Sequence, residues 1–480
     1  MIFLKGECLL LNLNVNKKDT ITNLTSLNEA LEMSRDKMRT YYRNYINPSL
    51  VDVMGLLDFD KLFVKADGIY VWDESGNKYL DFLGGYGALN LGHNPTEVFQ
   101  ALETVKSRPN ILQASLNPLT AALASNLAQV TPGDLSRVFF CNSGTEAVEG
   151  ALKLARAVDP KRKKIIYCQN SFHGKSLGSL SVTGRNKYQE PFRPLLPNCE
   201  MVSFGDIIAL EAVLENKDVA AFIVEPIQGE GGINLPPEGY FPAVKALCNK
   251  YNTLLIVDEI QTGFGRTGTL FACEHENIVP DIMCIAKSLG GGIMPLGAYI
   301  ARPHIWDKVY KGIDKYALHT STFGGNSLAS AVGIVALETI LTKELPREAK
   351  EKGIYLLEKL SQLKNKYKLI KDVRGRGLLI GIEFNQPSNG LVNKLTLGKL
   401  NKLSEEYLGS LVAGELLNKF RIITAYTLNK PNVIRLEPPL IVDYPSLDLV
   451  INALDEIMSH SFSGLMFNSM RNVITSITSK

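Results

Sequence analysis

The sequence predicts an α/β protein: a large domain built on a mostly parallel sheet covered on both faces, followed by a smaller α+β domain. Three observations carry this expectation. Between residues 115 and 330, short apolar runs rich in β-branched residues alternate with helical stretches, the pattern of parallel strands joined by helices. Beyond Gly333 that alternation gives way to long helices mixed with a few isolated strands. At 480 residues and 45% apolar content, the chain can bury a large core, and its length allows two or three domains.

Taken in order, residues 1–40 are polar and rich in Asn and Lys around Leu27-Asn-Glu-Ala-Leu-Glu-Met33, which reads as a helix. Gly68 to Asp81 reads as a hairpin turning at Ser75-Gly76-Asn77, and a glycine-rich loop, Gly84 to His93, follows it. Strand-like runs then occur at Val138–Cys141, Ile165–Cys168, Ala220–Val224, Leu254–Val257, Ile282–Ile285 and Gly297–Ile300. Helical patterns such as Ala147–Arg156 and Phe241–Lys250 separate many of them. An apolar helix runs from Gly333 to about residue 342. An amphipathic helix, a strand over Gly377–Phe384, further helix and strands around Ile422 and Val433 complete the carboxyl-terminal part.

Composition excludes several classes. A net charge of +3 from 52 basic and 49 acidic residues gives no strong polyanion affinity, so no nucleic-acid partner is expected. The seven cysteines, at 8, 141, 168, 199, 248, 273 and 284, form no C-x-x-C pair, and Cys273-Glu-His275 lacks the further ligands of a metal site. Reduced cysteines inside apolar runs fit a cytoplasmic protein. The amino terminus is apolar but interrupted by Lys5 and Glu7, with no cleavage site and no membrane-length run, so no membrane association is expected.

Chemistry gathers at the strand ends. Leu254-Leu-Ile-Val-Asp258 ends in a carboxylate, and the run ending at Ile285 is followed by Lys287. A lysine that can hold an aldehyde as a Schiff base and an aspartate that can keep a pyridine nitrogen protonated together suggest pyridoxal phosphate. The first run leads into Ser143-Gly144-Thr145-Glu146, a turn opening a helix, where free N–H groups and the dipole suit a phosphate. The second leads to Phe172 and His173, the third to Glu225-Pro-Ile-Gln-Gly-Glu230, and the fourth also supplies Gln261. Each alone reads as a cap, a core aromatic or a surface acid. Together they line the edge of an open parallel sheet where ligands collect.

Two decoys fail. Gly174-Lys175-Ser176 lacks the glycine that a phosphate loop needs five positions before its Gly-Lys pair, where Gln169 stands. Gly263-Phe-Gly265-Arg-Thr-Gly268 matches a dinucleotide fingerprint in letters, yet no helical stripe follows it.

The motifs Ser143-Gly-Thr-Glu-Ala, Phe172-His-Gly-Lys, Glu225-Pro-Ile-Gln-Gly-Glu-Gly-Gly, Asp258-Glu-Ile-Gln-Thr-Gly-Phe-Gly-Arg-Thr-Gly, Ala286-Lys-Ser-Leu-Gly-Gly-Gly and Ser321-Thr-Phe-Gly-Gly-Asn resemble those of the class III pyridoxal-phosphate aminotransferases, of fold type I, over roughly residues 40–460. The resemblance implies a seven-stranded sheet in a large coenzyme-binding domain over 115–330 and a small domain over 331–465. It also implies a segment over 41–114 contributing to the small domain and the site entrance, and leaves 1–40 and the tail 466–480 without a role. Lys287 would hold the coenzyme and move the proton, and Asp258 would pair with the ring nitrogen. Gln261 would meet the phenolic oxygen, Phe172 beside His173 would stack on the ring, and Ser143, Gly144 and Thr145 would cradle the phosphate. Thr322 would reach that phosphate from a partner subunit, so a homodimer with shared sites, or a tetramer built from two such dimers, is implied. Arg435 would hold a carboxylate of 2-oxoglutarate, and Glu230 would mask Arg435 when the amine donor enters.

Within the family, Phe271–Asp281, His319–Asn326 and Thr427–Leu440 are most similar to the putrescine aminotransferase subgroup. That implies transfer of a terminal amino group from a diamine to 2-oxoglutarate, with an ornithine or acetylornithine aminotransferase, or another omega-amino acid transaminase, as the alternative. One departure is Ser327, where many members carry proline, which would loosen the turn beside it without removing a ligand.

Overall fold

The computed structural model describes residues 24–56, 58–112, 114–385 and 399–459. Cys8, most of the amino-terminal extension and the tail from residue 466 lie outside the described residues. The chain divides into two compact units, one ending at Leu62 and one beginning at Phe63.

In the first unit, Leu27–Leu31 forms only a short helix, opened by a capping box between Ser26 and Glu29. The helices Arg35–Tyr45 and Pro48–Leu56 follow. Arg35 ties the first of these to Asp58 at 2.8 Å and to Asp60 at 2.6 Å.

The second unit begins with β1 (Phe63–Asp67), β2 (Tyr70–Asp73) and β3 (Lys78–Asp81), an antiparallel set whose β2–β3 turn falls at the expected Ser-Gly-Asn. The large sheet comprises β4 (Arg137–Cys141), β5 (Lys164–Cys168), β6 (Cys199–Val202), β7 (Val219–Val224), β8 (Leu254–Asp258), β9 (Ile282–Ile285) and β10 (Gly297–Ala301). These seven strands lie in the order β4-β10-β9-β8-β7-β5-β6. β10 runs opposite to the other six strands, antiparallel to both β4 and β9.

The central strands are buried on both faces, which is why they read as unbroken apolar runs: all six residues of β7 and all four of β9 are buried. Helix Gly144–Val158 turns Ala147, Val148, Ala151, Leu152, Leu154 and Ala155 into the core.

The carboxyl-terminal part holds β11 (Ile370–Arg376), β12 (Leu379–Phe384), β13 (Ile422–Ile423), β14 (Ala425–Tyr426) and β15 (Val433–Leu436). Four of them form an antiparallel sheet in the order β11-β12-β15-β14, and helices Leu345–Lys366, Lys399–Phe420 and Tyr444–Ser459 accompany it. β13 instead adds to β3 in parallel, with Leu80 N–H donating to the Arg421 carbonyl at 2.8 Å. The amino-terminal hairpin is thus sewn to the carboxyl-terminal part of the chain. Among the described residues, no helix is long and apolar enough to cross a membrane.

Candidate active site

Each central parallel strand delivers its side chains at the same edge. The ends of β4, β5, β7, β8 and β9 surround a cavity of about 470 Å³ whose lining includes Ser143, Gly144, Thr145, Phe172, His173, Glu225, Asp258, Gln261 and Lys287. Nine residues singled out in the sequence therefore meet in one place.

The phosphate end is a helix amino terminus. Ser143 caps helix Gly144–Val158, its hydroxyl accepting from Glu146 N–H at 3.3 Å. Glu146 answers by accepting from Asn142 N–H at 2.8 Å. Intrahelical bonding starts only with Ala147 N–H to the Ser143 carbonyl, so the Gly144 and Thr145 amides precede it and face an anion with the helix dipole behind them. Thr145 is held by hydroxyl contacts with Ser176 at 2.8 Å and Ser179 at 2.6 Å, and Ser176 donates to Glu149 at 2.5 Å. Sequence reasoning did not find this supporting network.

At the ring end, Asp258 is 4% exposed and contacts His173 Nδ1 at 2.7 Å and Ile260 N–H at 3.0 Å. A buried carboxylate fixed by an imidazole can hold a protonated pyridine nitrogen. Phe172 N–H donates to Glu225 at 2.9 Å. Glu225 is enclosed beside Asp258, and burial pushes its carboxyl up to about 7.

Lys287 follows β9 with φ +49°, a left-handed conformation that a lysine adopts only under constraint from its surroundings. Its residue keeps some surface toward the cavity while its ammonium is shielded. Burial lowers its pKa, Arg435 adds to that, and Glu437, Glu230 and Asp258 only partly oppose it.

Gln261 connects this cavity to a second cluster. Its Nε2 donates to both oxygens of Glu437, at 3.0 and 2.9 Å. Glu437 Oε2 lies 3.5 Å from Arg435 Nη1, and Glu230 Oε2 lies 2.6 Å from Arg435 Nη2. Arg435 is fully buried, with its guanidinium 5.0 Å from the Tyr86 ring. None of its three guanidinium nitrogens has an aligned hydrogen-bond acceptor among the described residues. Burial works to raise the Glu230 pKa, but Arg435 and the Leu428 N–H, 2.8 Å away, outweigh it and the value falls. Burial likewise opposes the charge on Arg435, and Glu230 and Glu437 more than restore it.

Sequence reasoning missed Tyr86 and Glu437. The signal for Glu437 was its i,i+2 spacing from Arg435, which puts both on one face of an extended chain.

Thr322 does not line the cavity of its own chain; it is exposed. Its neighbour Ser321 accepts from Asn142 Nδ2 at 3.2 Å. The turn at Ser327 is not loosened, which corrects that expectation. Ser327 N–H donates to the Asn110 carbonyl at 3.1 Å and its hydroxyl to the Pro109 carbonyl at 2.6 Å. Proline could not make the first of these bonds. The Gly263–Gly268 decoy is structural: no α-helix opens on these glycines, only a short 3-10 turn at Ala272–Glu276 follows, and buried Arg266 donates to the carbonyls of Leu378 at 3.0 Å and Pro438 at 2.6 Å.

The residues present fit pyridoxal phosphate: an open helix terminus for the phosphate, a flat Phe172 wall, a carboxylate for the ring nitrogen and a lysine in the cavity. Comparison with known proteins agrees. The family model for class-III aminotransferases matches residues 58–458. "Aminotransferase PigE" of Serratia sp. is 38% identical over 456 residues, covering 88% of this chain and 53% of that protein. The chain thus spans about half the length of that relative. Among solved structures, ornithine aminotransferase from Toxoplasma gondii ME49 superimposes with a TM-score of 0.78 at 31% identity, covering 92% of this chain and 97% of that one. A PLP-bound amine transaminase from an uncultivated Pseudomonas species gives 0.74 at 29% identity, covering 83% and 94%. The chain belongs to the class III aminotransferases, with the fold type I architecture and pyridoxal phosphate as its coenzyme.

Proposed function

We propose that this protein moves the terminal amino group of a diamine, putrescine in the first instance, to 2-oxoglutarate, giving an aminoaldehyde and glutamate. One observation carries the reading: Arg435 is fully buried, its guanidinium nitrogens lack aligned acceptors, and its nearest counter-ion, Glu230, sits on a loop at 2.6 Å. A buried arginine with open donors is suited to the two parallel hydrogen bonds of a carboxylate. The same pocket must accept a donor without that carboxylate, and Glu230 neutralises Arg435 in that half of the cycle.

Bound pyridoxal phosphate supplies the electron sink and carries the amino group between substrates. In this reading, Lys287 holds the coenzyme and then takes the proton from the substrate carbon. Its lowered pKa favours the free amine that this task needs. Asp258, oriented by His173, keeps the ring nitrogen charged. Gln261 positions the ring's oxygen side, and Thr145 and Gly144 hold the phosphate. Thr322, exposed on its own chain, contributes to the phosphate site of a partner subunit in a homodimer. Free cysteines, most of them buried, fit a cytoplasmic setting.

Single-turnover spectroscopy of the coenzyme's visible band tests the reading. Arg435→Ala should damage the 2-oxoglutarate step far more than the diamine step, by about 2 to 5 kcal/mol for a lost buried charge pair. Glu230→Ala should do the reverse and make glutamate the better donor. Equal losses in both steps would sink the proposal. Ornithine is the second reading, favoured by the similarity to an ornithine aminotransferase. A donor series with ornithine, N-acetylornithine and putrescine separates the two. For the dimer, reassembling Lys287→Ala chains with Thr322→Ala chains should change activity in a way independent sites cannot, whereas an active monomer in sedimentation would exclude it.

A further inference from the structure

Arg435 has two carboxylate neighbours, and they differ in the freedom they have to move. Glu230 lies on the loop after β7, keeps 7% of its surface exposed and, besides Arg435, is held by the Leu428 N–H at 2.8 Å. Glu437 has none. It lies one residue beyond β15, with both oxygens engaged by Gln261 Nε2. A Cβ on Gly87, at φ +84°, would fall 2.6 Å from Glu437 Oε1, so the glycine loop closes the space into which this carboxylate could turn.

We propose that Glu437 is a fixed counter-charge for Arg435, staying in place through both half-reactions while Glu230 releases, and that it sets the preference for cationic donors over dicarboxylic ligands. This inference rests on the diamine and 2-oxo-acid reading above. Its geometry is unusual in a useful way. At 3.5 Å from Nη1, Glu437 neutralises the guanidinium without lying along an N–H axis, since the Arg435 nitrogens have no aligned acceptor among the described residues. Charge is balanced while the hydrogen-bond fork stays open for a ligand.

The local charge balance then differs between half-reactions. With Glu230 in place, one arginine faces two carboxylates, and the surplus negative charge attracts the distal ammonium of a diamine. With Glu230 withdrawn, Arg435 and Glu437 cancel, so an incoming carboxylate gains hydrogen bonds but little net charge attraction. Without Glu437 the site would present a bare buried cation, which binds dicarboxylates tightly and lets glutamate leave slowly. Glu437 thus acts through Arg435 as a positioning and specificity residue.

Three variants of the holoenzyme test this: Glu437→Gln and Glu437→Ala, which remove the charge with and without the shape, and Glu437→Asp, which keeps the charge. Glutarate, an unreactive dicarboxylate, is titrated by calorimetry. Donor preference is the ratio of half-reaction efficiencies for putrescine and 1-aminobutane, which differ only in the distal ammonium. Both neutral variants should bind glutarate about tenfold tighter or more and lose a comparable factor of putrescine preference, while Glu437→Asp stays near wild type. Unchanged glutarate affinity in the neutral variants, or equal changes in all three, would overturn the proposal. Arg435→Ala separates the two levels of argument. If it abolishes glutarate binding while the neutral Glu437 variants behave as wild type, this inference alone fails; if it leaves glutarate binding intact, the reading beneath fails with it.

Discussion

Two buried charge clusters in the second unit are built from the same residue types and end in opposite states. On the carboxyl-terminal sheet, Glu383 is 2% exposed and meets Lys371, Arg374 and Lys430, each at 2.7 Å. Burial works to raise its pKa, but these three cations more than offset it and hold the carboxyl down at about 2. At the cavity, Arg435 finds no aligned acceptor among the described residues, Glu225 is pushed up to about 7 and Lys287 is pushed down. A cluster that only holds the fold satisfies its charges internally, whereas a site keeps some of them under-satisfied so that a ligand can complete them. The two clusters are also neighbours. Arg374 Nε donates to the Gly232 carbonyl at 3.1 Å, and Asn429 N–H, beside Lys430, donates to the Glu230 carbonyl at 2.9 Å. The satisfied cluster therefore anchors the loop that carries the proposed gate.

The comparison is sharpest at Lys287. Lys287→Ala should lower turnover by a factor of at least ~10³ if general-base losses are a guide. It removes a shielded ammonium from a left-handed backbone position, so the melting temperature should hold or fall only slightly. Paired turnover and melting measurements check this. A variant that unfolds readily while keeping its turnover would place Lys287 in the structural class instead. Asp258→Asn should follow, with coenzyme retained but a loss of about 2 to 5 kcal/mol at the chemical step, the range for one half of a buried charge pair. Near wild-type turnover would assign the ring nitrogen to another group.

Legibility in the sequence follows the same division. Strands β5, β7, β8, β9 and β10 were readable because both of their faces are buried, leaving continuous apolar runs. Strand β6 was not, because Glu200 and Met201 are exposed on it at the sheet edge. In β11, a glycine and four charged residues break any alternation, and the two-residue strand β14 exists only through its partner, whereas the expected strand around Ile422 is β13. Lys287 and Asp258 stood out together as charges at or just beyond the ends of apolar runs. Glu437 sits before Pro438 and Pro439 and reads as a loop acid, and its burial depends on a glycine loop some 350 residues earlier in the chain. Spacing reports local periodicity; it cannot report which distant loop closes over a side chain.

Glu225 gives a pH test. Its folded value of about 7 lies above the ordinary 4.5. Between these values the folded state binds more protons than the unfolded state, so stability from this group falls as pH rises through the window and levels off above it. The slope approaches about 1.4 kcal/mol per pH unit at its steepest, for a total on the order of 3 kcal/mol. Glu225→Gln should flatten that part of the curve, measured as the difference between wild-type and variant denaturation midpoints from pH 4.5 to 7.5. Parallel curves would mean that Glu225 is as well satisfied as Glu383.

The smallest expected effect belongs to Glu383 and has the opposite sign. Its folded value of about 2 lies below 4.5, so its contribution is fully present above the ordinary value and is lost as pH falls through the window toward 2. Lys371 and Lys430 keep 56% and 37% of their side-chain surface exposed, so solvent screens two of its three partners. Glu383→Gln should therefore cost only about 1 to 2 kcal/mol at neutral pH, less at high salt, and its deficit should shrink on acidification. Because Arg374 and Asn429, next to Lys430, fasten the loop bearing Glu230, the variant should weaken discrimination between amine donors and glutamate more than it slows the chemical step. A variant that loses stability with donor selectivity untouched would show that the anchoring cluster and the gate are energetically separate.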